Sequence, residues 1–241
     1  MRKPTETLNL DSIPAMGFLT LMALLIASAA GALAAVVLLP AVLPGLTGSL
    51  LGPEPKVYWY LARSSAWVAY LLLWLSMIFG LLITGKISRI WPGGPAAVDV
   101  HQFVSLMGIV FALFHGLILT GDRYIGFSVV QVLIPFSNPV YRPLWVGIGQ
   151  IGFYTLALVG LSYYVRRSIT PRVWRLVHSL SFLTFIFVMI HGILSGTDSS
   201  QPWAMAAYWV TGGSVWFLTV YRMIFTVVDR TIRAPRQAAR I

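Results

Sequence analysis

The chain has 241 residues, of which 58% are hydrophobic and only 10% charged, and its formal net charge is +10. Soluble domains carry about 25% charged and 45–50% apolar residues, so the composition excludes an ordinary water-soluble fold and points to a membrane protein. Cysteine is absent, which rules out disulfides, thiolate-held iron–sulfur clusters and covalent c-type haem attachment, and leaves histidine, carboxylate or methionine for any metal chemistry.

Six apolar runs follow one another, each long enough for a bilayer core, which takes roughly 20 helical residues. The first, near 16–43, follows the basic start Met1-Arg2-Lys3 and contains the small-residue stretch 27–35. It exceeds the length of a signal-peptide core, and polar-leaning residues precede it, so a retained first helix is expected rather than a cleaved leader. Leu43-Pro44-Gly45 and Gly52-Pro53-Glu54-Pro55 separate it from the second run, 57–84. Pro92-Gly93-Gly94-Pro95 leads into the third, 99–120.

The long connection 122–142 carries Phe127 to Phe136, which is too apolar for a free loop. It reads either as a segment lying on the membrane surface over the outer end of the bundle or as a re-entrant loop. Ser137-Asn138-Pro139 precedes the fourth run, 143–165, and the fifth spans 174–195. Ser199-Ser200-Gln201-Pro202 precedes the sixth, 206–228. The expected organisation is a cytoplasmic segment 1–15, an all-α six-helix membrane domain 16–228 and a basic cytoplasmic tail 229–241.

The basic residues fall unevenly across the alternating connections. One side receives Arg2, Lys3, Lys86, Arg89, Arg166, Arg167, Arg172, Arg175, Arg222, Arg230, Arg233, Arg236 and Arg240, which is 13 of the 17. The other receives Lys56, Arg63, Arg123 and Arg142. This asymmetry places both termini in the cytoplasm, in an inner (plasma) membrane, and accounts for the net charge without a nucleic-acid partner. The tail is short and no Gly-rich strand–helix motif occurs, so a nucleotide- or flavin-binding domain within this chain is not expected.

All four histidines lie inside predicted spans: His101 and His115 in the third run, His178 and His191 in the fifth. Ionisable side chains within a membrane are rare and mostly functional. The two runs point the same way, and the histidine spacings of 14 and 13 residues give about 21 and 20 Å of rise. Each histidine therefore has a partner at its own depth. Two facing imidazoles are what a six-coordinate haem iron accepts as axial ligands, whereas a single-metal site gathers its ligands at one depth. A 14-residue step returns a side chain to within about 40° of the same helix face, while 13 residues leave it about 140° away. The fifth helix must be distorted, or must offer its histidines at different azimuths. A glycine follows each of the second histidines, in His115-Gly116 and His191-Gly192. It serves either a flat macrocycle approaching the backbone or ordinary helix packing.

The paired histidines, together with Arg142-Pro143, Gly147, Arg166-Arg167, Trp174-Arg175-Leu176-Val177-His178 and His191-Gly192, resemble the ferric reductase-like transmembrane domain over about residues 57–228. That family includes ferric-chelate reductases, NADPH oxidases and the membrane subunit of the bacterial periplasmic methionine sulfoxide reductase. The resemblance implies two stacked haem b groups, with His101 and His178 on the inner and His115 and His191 on the outer. It implies transmembrane electron transport, as an oxidoreductase component, from a cytoplasmic or membrane donor to an external acceptor such as a ferric chelate or oxygen. FMN or FAD would then enter through a partner flavin reductase. The alternative is a quinol- or flavin-fed subunit serving a periplasmic reductase, and a rival of another class is a non-redox transporter or scaffold. A transporter usually shows broken helices or inverted repeats, and the related histidine runs here are parallel.

Three arginines complete the candidate site. Arg63 reads either as a snorkelling side chain or, as the resemblance implies, as a partner of the outer haem's propionates. Arg142 is a weaker outer candidate, and Arg175 an inner one. Phe182 and Phe185 fall between the two histidine levels, where they sit between the haems or simply pack.

Overall fold

The computed structural model of the protein describes residues 16–42, 57–90, 93–122 and 125–238, with the backbone alone at 89, 229, 230 and 232–238. Arg2, Lys3, Lys56, Arg123 and Arg240, the segment 1–15 and the breakers at 43–45 and 52–55 lie outside the described residues, as do the side chains of Arg89, Arg230, Arg233 and Arg236. Among the described residues there are seven α-helices, two single 3₁₀ turns and no strand: α1 Phe18–Val42, α2 Val57–Thr84, α3 Gly94–Ile118, α4 Val129–Leu133, α5 Pro143–Val165, α6 Pro171–Ser195 and α7 Pro202–Ala238. Six of them are long and apolar enough to cross a membrane. Only α4 is too short.

Four of these helices begin at or beside a proline, whose missing N–H costs nothing in the first turn. At α3 the Gly93 cap, at φ 103°, precedes Pro95. At α6 the Thr170 hydroxyl accepts from the Val173 N–H (3.3 Å). These caps start α3 and α6 a few residues before their apolar runs. At the other end of the bundle, α7 continues to Ala238, ten residues past its apolar span, so the basic tail extends the helix.

Helices α2 and α3 form one antiparallel pair and α5 and α6 another, with α1 against α3 and α7 against α2. One buried core joins α2, α6 and α7 through Tyr70, Leu73, Met77, Leu81, Phe185 and Val215. Phe185 is stacked on Tyr70 at 6.2 Å and Phe182 borders the same cluster, so both phenylalanines pack at this core. Polar bonds stitch helices together within the apolar interior: Trp74 Nε1 to Ser214 (2.9 Å), Thr184 to Thr155 (3.0 Å) and Tyr70 with Thr211. Such bonds are worth roughly 0.6–2 kcal/mol each in a bilayer. The outward faces carry Leu19, Leu176, Trp209 and Trp216, all strongly exposed. Water would penalise that surface, while lipid accepts it and helices leave no backbone group unpaired there.

Candidate functional site

The fold brings the four histidines together in two pairs. His101 of α3 faces His178 of α6 with ring centroids 6.1 Å apart. His115 of α3 faces His191 of α6 at 6.4 Å. One pair lies near the end of the bundle that carries Arg172 and Arg175, the other near the end that carries Arg63 and Asp198.

Three of the four rings are fixed by backbone carbonyls. His101 Nδ1 bonds to the Ser76 carbonyl, His115 Nδ1 to that of Ala62, and His191 Nδ1 to that of Trp145, each at 2.9 Å. A carbonyl oxygen can only accept, so each Nδ1 carries the proton and each Nε2 keeps its lone pair. This arrangement is the usual one for a metal-binding imidazole. The acceptors on α2 are 14 residues apart, as are the histidines on α3, so the antiparallel register repeats the same contact at both levels. His178 lacks such a carbonyl and instead stacks on Trp174, one turn earlier on α6, at 5.1 Å and 24°.

Small residues make room for the rings. A Cβ at Gly80 would stand 3.3 Å from His101 Cε1, and one at Gly149 would collide with the His191 ring. A Cβ at Gly192 would meet the Tyr208 hydroxyl at 2.7 Å and one at Gly116 would meet Val132 at 3.2 Å. The two glycines beside the histidines therefore have packing partners of their own.

His115 and His191 open onto a cavity of about 240 Å³ of water-centre volume, against the roughly 10–15 Å³ that one water needs. Its walls are mainly apolar, and Arg63, Gln150, Asp198 and Tyr208 supply polar groups. Residues 125–142 of the connection lie over it. Ile125, Phe127, Val132 and Leu133 face the cavity, while Val130, Ile134 and Phe136 are exposed. Ser128 caps α4 in a reciprocal pair with Gln131. Gln150 of α5 ties the segment down, donating to the carbonyls of Gln131 and Val132, each at 2.7 Å. Phe136, at φ 63°, turns its ring onto α5 over Gly147, where no Cβ would fit.

The arginines are engaged differently. Arg63 makes a two-toothed ion pair with Asp198, Nε to Oδ2 at 2.8 Å, and its guanidinium stacks on Trp59 at 4.0 Å. Arg142 donates to the Leu194 carbonyl. Arg175 is exposed on α6. Asp198 also accepts from Trp67 Nε1 (3.5 Å). Neither Asp198 nor Gly149 was among the candidate site residues of the sequence. Arg222 of α7, close enough to act electrostatically on His178, was also missed among the candidates.

Among the described residues, no three or more histidine, aspartate or glutamate side chains gather as a metal site. A structural zinc site takes four protein ligands and a catalytic one three. A level pair of imidazoles suits instead a cofactor that supplies its own equatorial ligands.

These features define an all-helical, multi-pass membrane protein with two histidine pairs, at two levels, between α3 and α6. The chain belongs to the family described as a domain of unknown function, DUF8596, which matches residues 57–198, more than half of its length. The match begins where α2 begins, covers all four histidines and ends at Asp198. No curated protein and no solved structure matches the chain.

Proposed function

We propose that the protein is a transmembrane cytochrome b, passing single electrons between two haem b groups, one held by His101 and His178, the other by His115 and His191. The observation that carries this reading is the pairing distance. Two metal–nitrogen bonds of about 2 Å, plus about 1.1 Å from each nitrogen to its ring centre, sum to roughly 6 Å. The rings stand 6.1 and 6.4 Å apart. Bound haem supplies the one-electron chemistry. The chain's own residues hold three of the four rings with Nδ1 protonated and Nε2 free to ligate, and the histidine pairs would hold the haems.

In this reading electrons enter from a cytoplasmic or membrane donor, either a flavin reductase carrying FMN or FAD or a quinol. They leave to an external acceptor, either a small molecule such as a ferric chelate or oxygen, or a periplasmic protein. The concentration of basic residues at the His101/His178 end supports that end being cytoplasmic. An inside-negative potential then favours outward electron flow by about 2.3 kcal/mol per 100 mV.

The test is haem content. Protein purified in detergent should give a pyridine haemochrome of b type with two haems per chain and a reversible reduced-minus-oxidised spectrum. The double variant His115→Ala/His191→Ala should retain one. A wild-type protein without a b-type signal, or a double variant with two haems, refutes the reading.

A further inference from the structure

Buried polar side-chain atoms in native folds find partners, and each exception calls for one. Among the described residues, Trp174 Nε1 and Ser195 Oγ have no hydrogen-bond partner. The two are placed alike. Both are on α6, Trp174 four residues before His178 and Ser195 four residues after His191. Residues four apart share a helix face, so each orphan donor lies one turn, about 6 Å, beyond its histidine toward the nearer end of the bundle. The Trp174 indole is stacked on the His178 ring, and Ser195, 8% exposed, lines the cavity of His191. Arg222 adds a cation at the His178 level.

We propose that Trp174 Nε1–H and Ser195 Oγ–H are cofactor-binding groups that hold the carboxylate-bearing edges of the two macrocycles, Trp174 at the His101/His178 level and Ser195 at the His115/His191 level. The inference rests on the cytochrome reading above. A haem is apolar on most of its rim and anionic on one edge, and in a bilayer that edge belongs toward the membrane surface, the direction in which both donors are displaced from the ligands. A neutral donor facing a carboxylate forms a charge-assisted bond, roughly twice as strong as a neutral one. It therefore satisfies the buried N–H or O–H and the anion together. Only the packing reveals that each lacks a partner.

The experiment compares the full-length holoprotein with Trp174→Phe, Trp174→His, Ser195→Ala and Ser195→Thr. Three quantities are read: haem per chain, the midpoint potential of each haem, and the rate of haem transfer to apomyoglobin. His178→Ala, which disables one level, assigns the signals. Trp174→Phe keeps the stacked ring but loses the donor. It should lower the potential of the His101/His178 haem and speed its loss roughly tenfold or more, leaving the other level unchanged. Ser195→Ala should do the converse. Trp174→His and Ser195→Thr, which keep a donor, should restore wild-type values.

A variant whose own level keeps the wild-type potential and loss rate overturns the proposal for that level. Donor-bearing variants as impaired as the donor-less ones overturn the hydrogen-bond role. Both of these results leave two haems in the wild type and the cytochrome reading standing. A wild type without haem removes that reading, and this proposal with it.

Discussion

On the proposed cytochrome reading, Gly149→Ala tests how tightly His191 is placed. A methyl group at this position would stand 2.8 Å from His191 Cε1 and closer still to two other ring atoms, inside the distance that real Cβ atoms keep. Either α5 shifts or the ring swings away, and swinging away breaks the 2.9 Å bond from Nδ1 to the Trp145 carbonyl. That bond is worth about 1 kcal/mol net, and overpacking a filled site costs about 1–3 kcal/mol. Together they come to about 2–4 kcal/mol. At about 1.4 kcal/mol per factor of ten, cofactor affinity at the His115/His191 level should fall roughly 30- to 700-fold. Pyridine haemochrome titration with added haemin reads that loss, and the other level should hold its haem. Gly108→Ala is the control. Gly108 lies midway between the histidine levels on α3, yet its Cβ would meet Leu72 Cβ at an ordinary 3.7 Å. This substitution should leave both haems bound, and the gain in helix propensity is up to about 1 kcal/mol. If Gly149→Ala retains two haems at wild-type affinity, the ring is not held where the packing places it, and the reasoning fails.

Asp198→Asn should weaken the bolt between α2 and the segment after α6. Removing the charge leaves Arg63, which is 29% exposed, without its carboxylate. A loss of about 1–2 kcal/mol is expected for a partly screened pair, visible as a lower melting temperature in detergent, and Arg63→Lys should lose nearly as much because Lys cannot make the two-toothed contact. Ser76→Ala should leave the His101 level intact. The main acceptor for His101 is the Ser76 carbonyl (2.9 Å), and the hydroxyl stands farther off at 3.4 Å. Loss of that haem in Ser76→Ala would move the anchoring role from the backbone to the side chain.

The spans were readable because membrane length is a count of residues, and the histidine pairing because rise per residue is fixed: steps of 14 and 13 reach nearly the same depth. Azimuth is not fixed by counting. The sequence leaves open whether α6 bends or presents two faces; in the structure α6 is one continuous helix from Pro171 to Ser195. Its two histidines find different supports, a carbonyl of α5 for His191 and an indole of its own helix for His178. Carbonyl acceptors have no sequence signature, so Ala62, Ser76 and Trp145 could not be picked out. Gly149 left a faint one: Gly147, Gly149 and Gly152 on α5 form a small-residue stretch of the kind that lets helices approach. The partner of Arg63 is 135 residues away, and no local pattern connects the two.

On the proposed cytochrome reading, the unequal support of the two α6 histidines carries a further expectation. A proton on Nδ1 that is shared with a carbonyl makes Nε2 a stronger electron donor to a bound metal. At the His115/His191 level both rings have that support, from Ala62 and Trp145. At the His101/His178 level only His101 has it, from Ser76, while the other ring rests on an indole face. A more basic ligand pair favours the ferric state, so the His115/His191 haem should titrate at the lower midpoint potential. Spectroelectrochemistry on the wild type, with His178→Ala and His191→Ala assigning the components, reads the order directly. The reverse order would mean that the electrostatics around the macrocycle edges, Arg63 and Asp198 at one end and Arg222 at the other, outweigh the ligands' own hydrogen bonds.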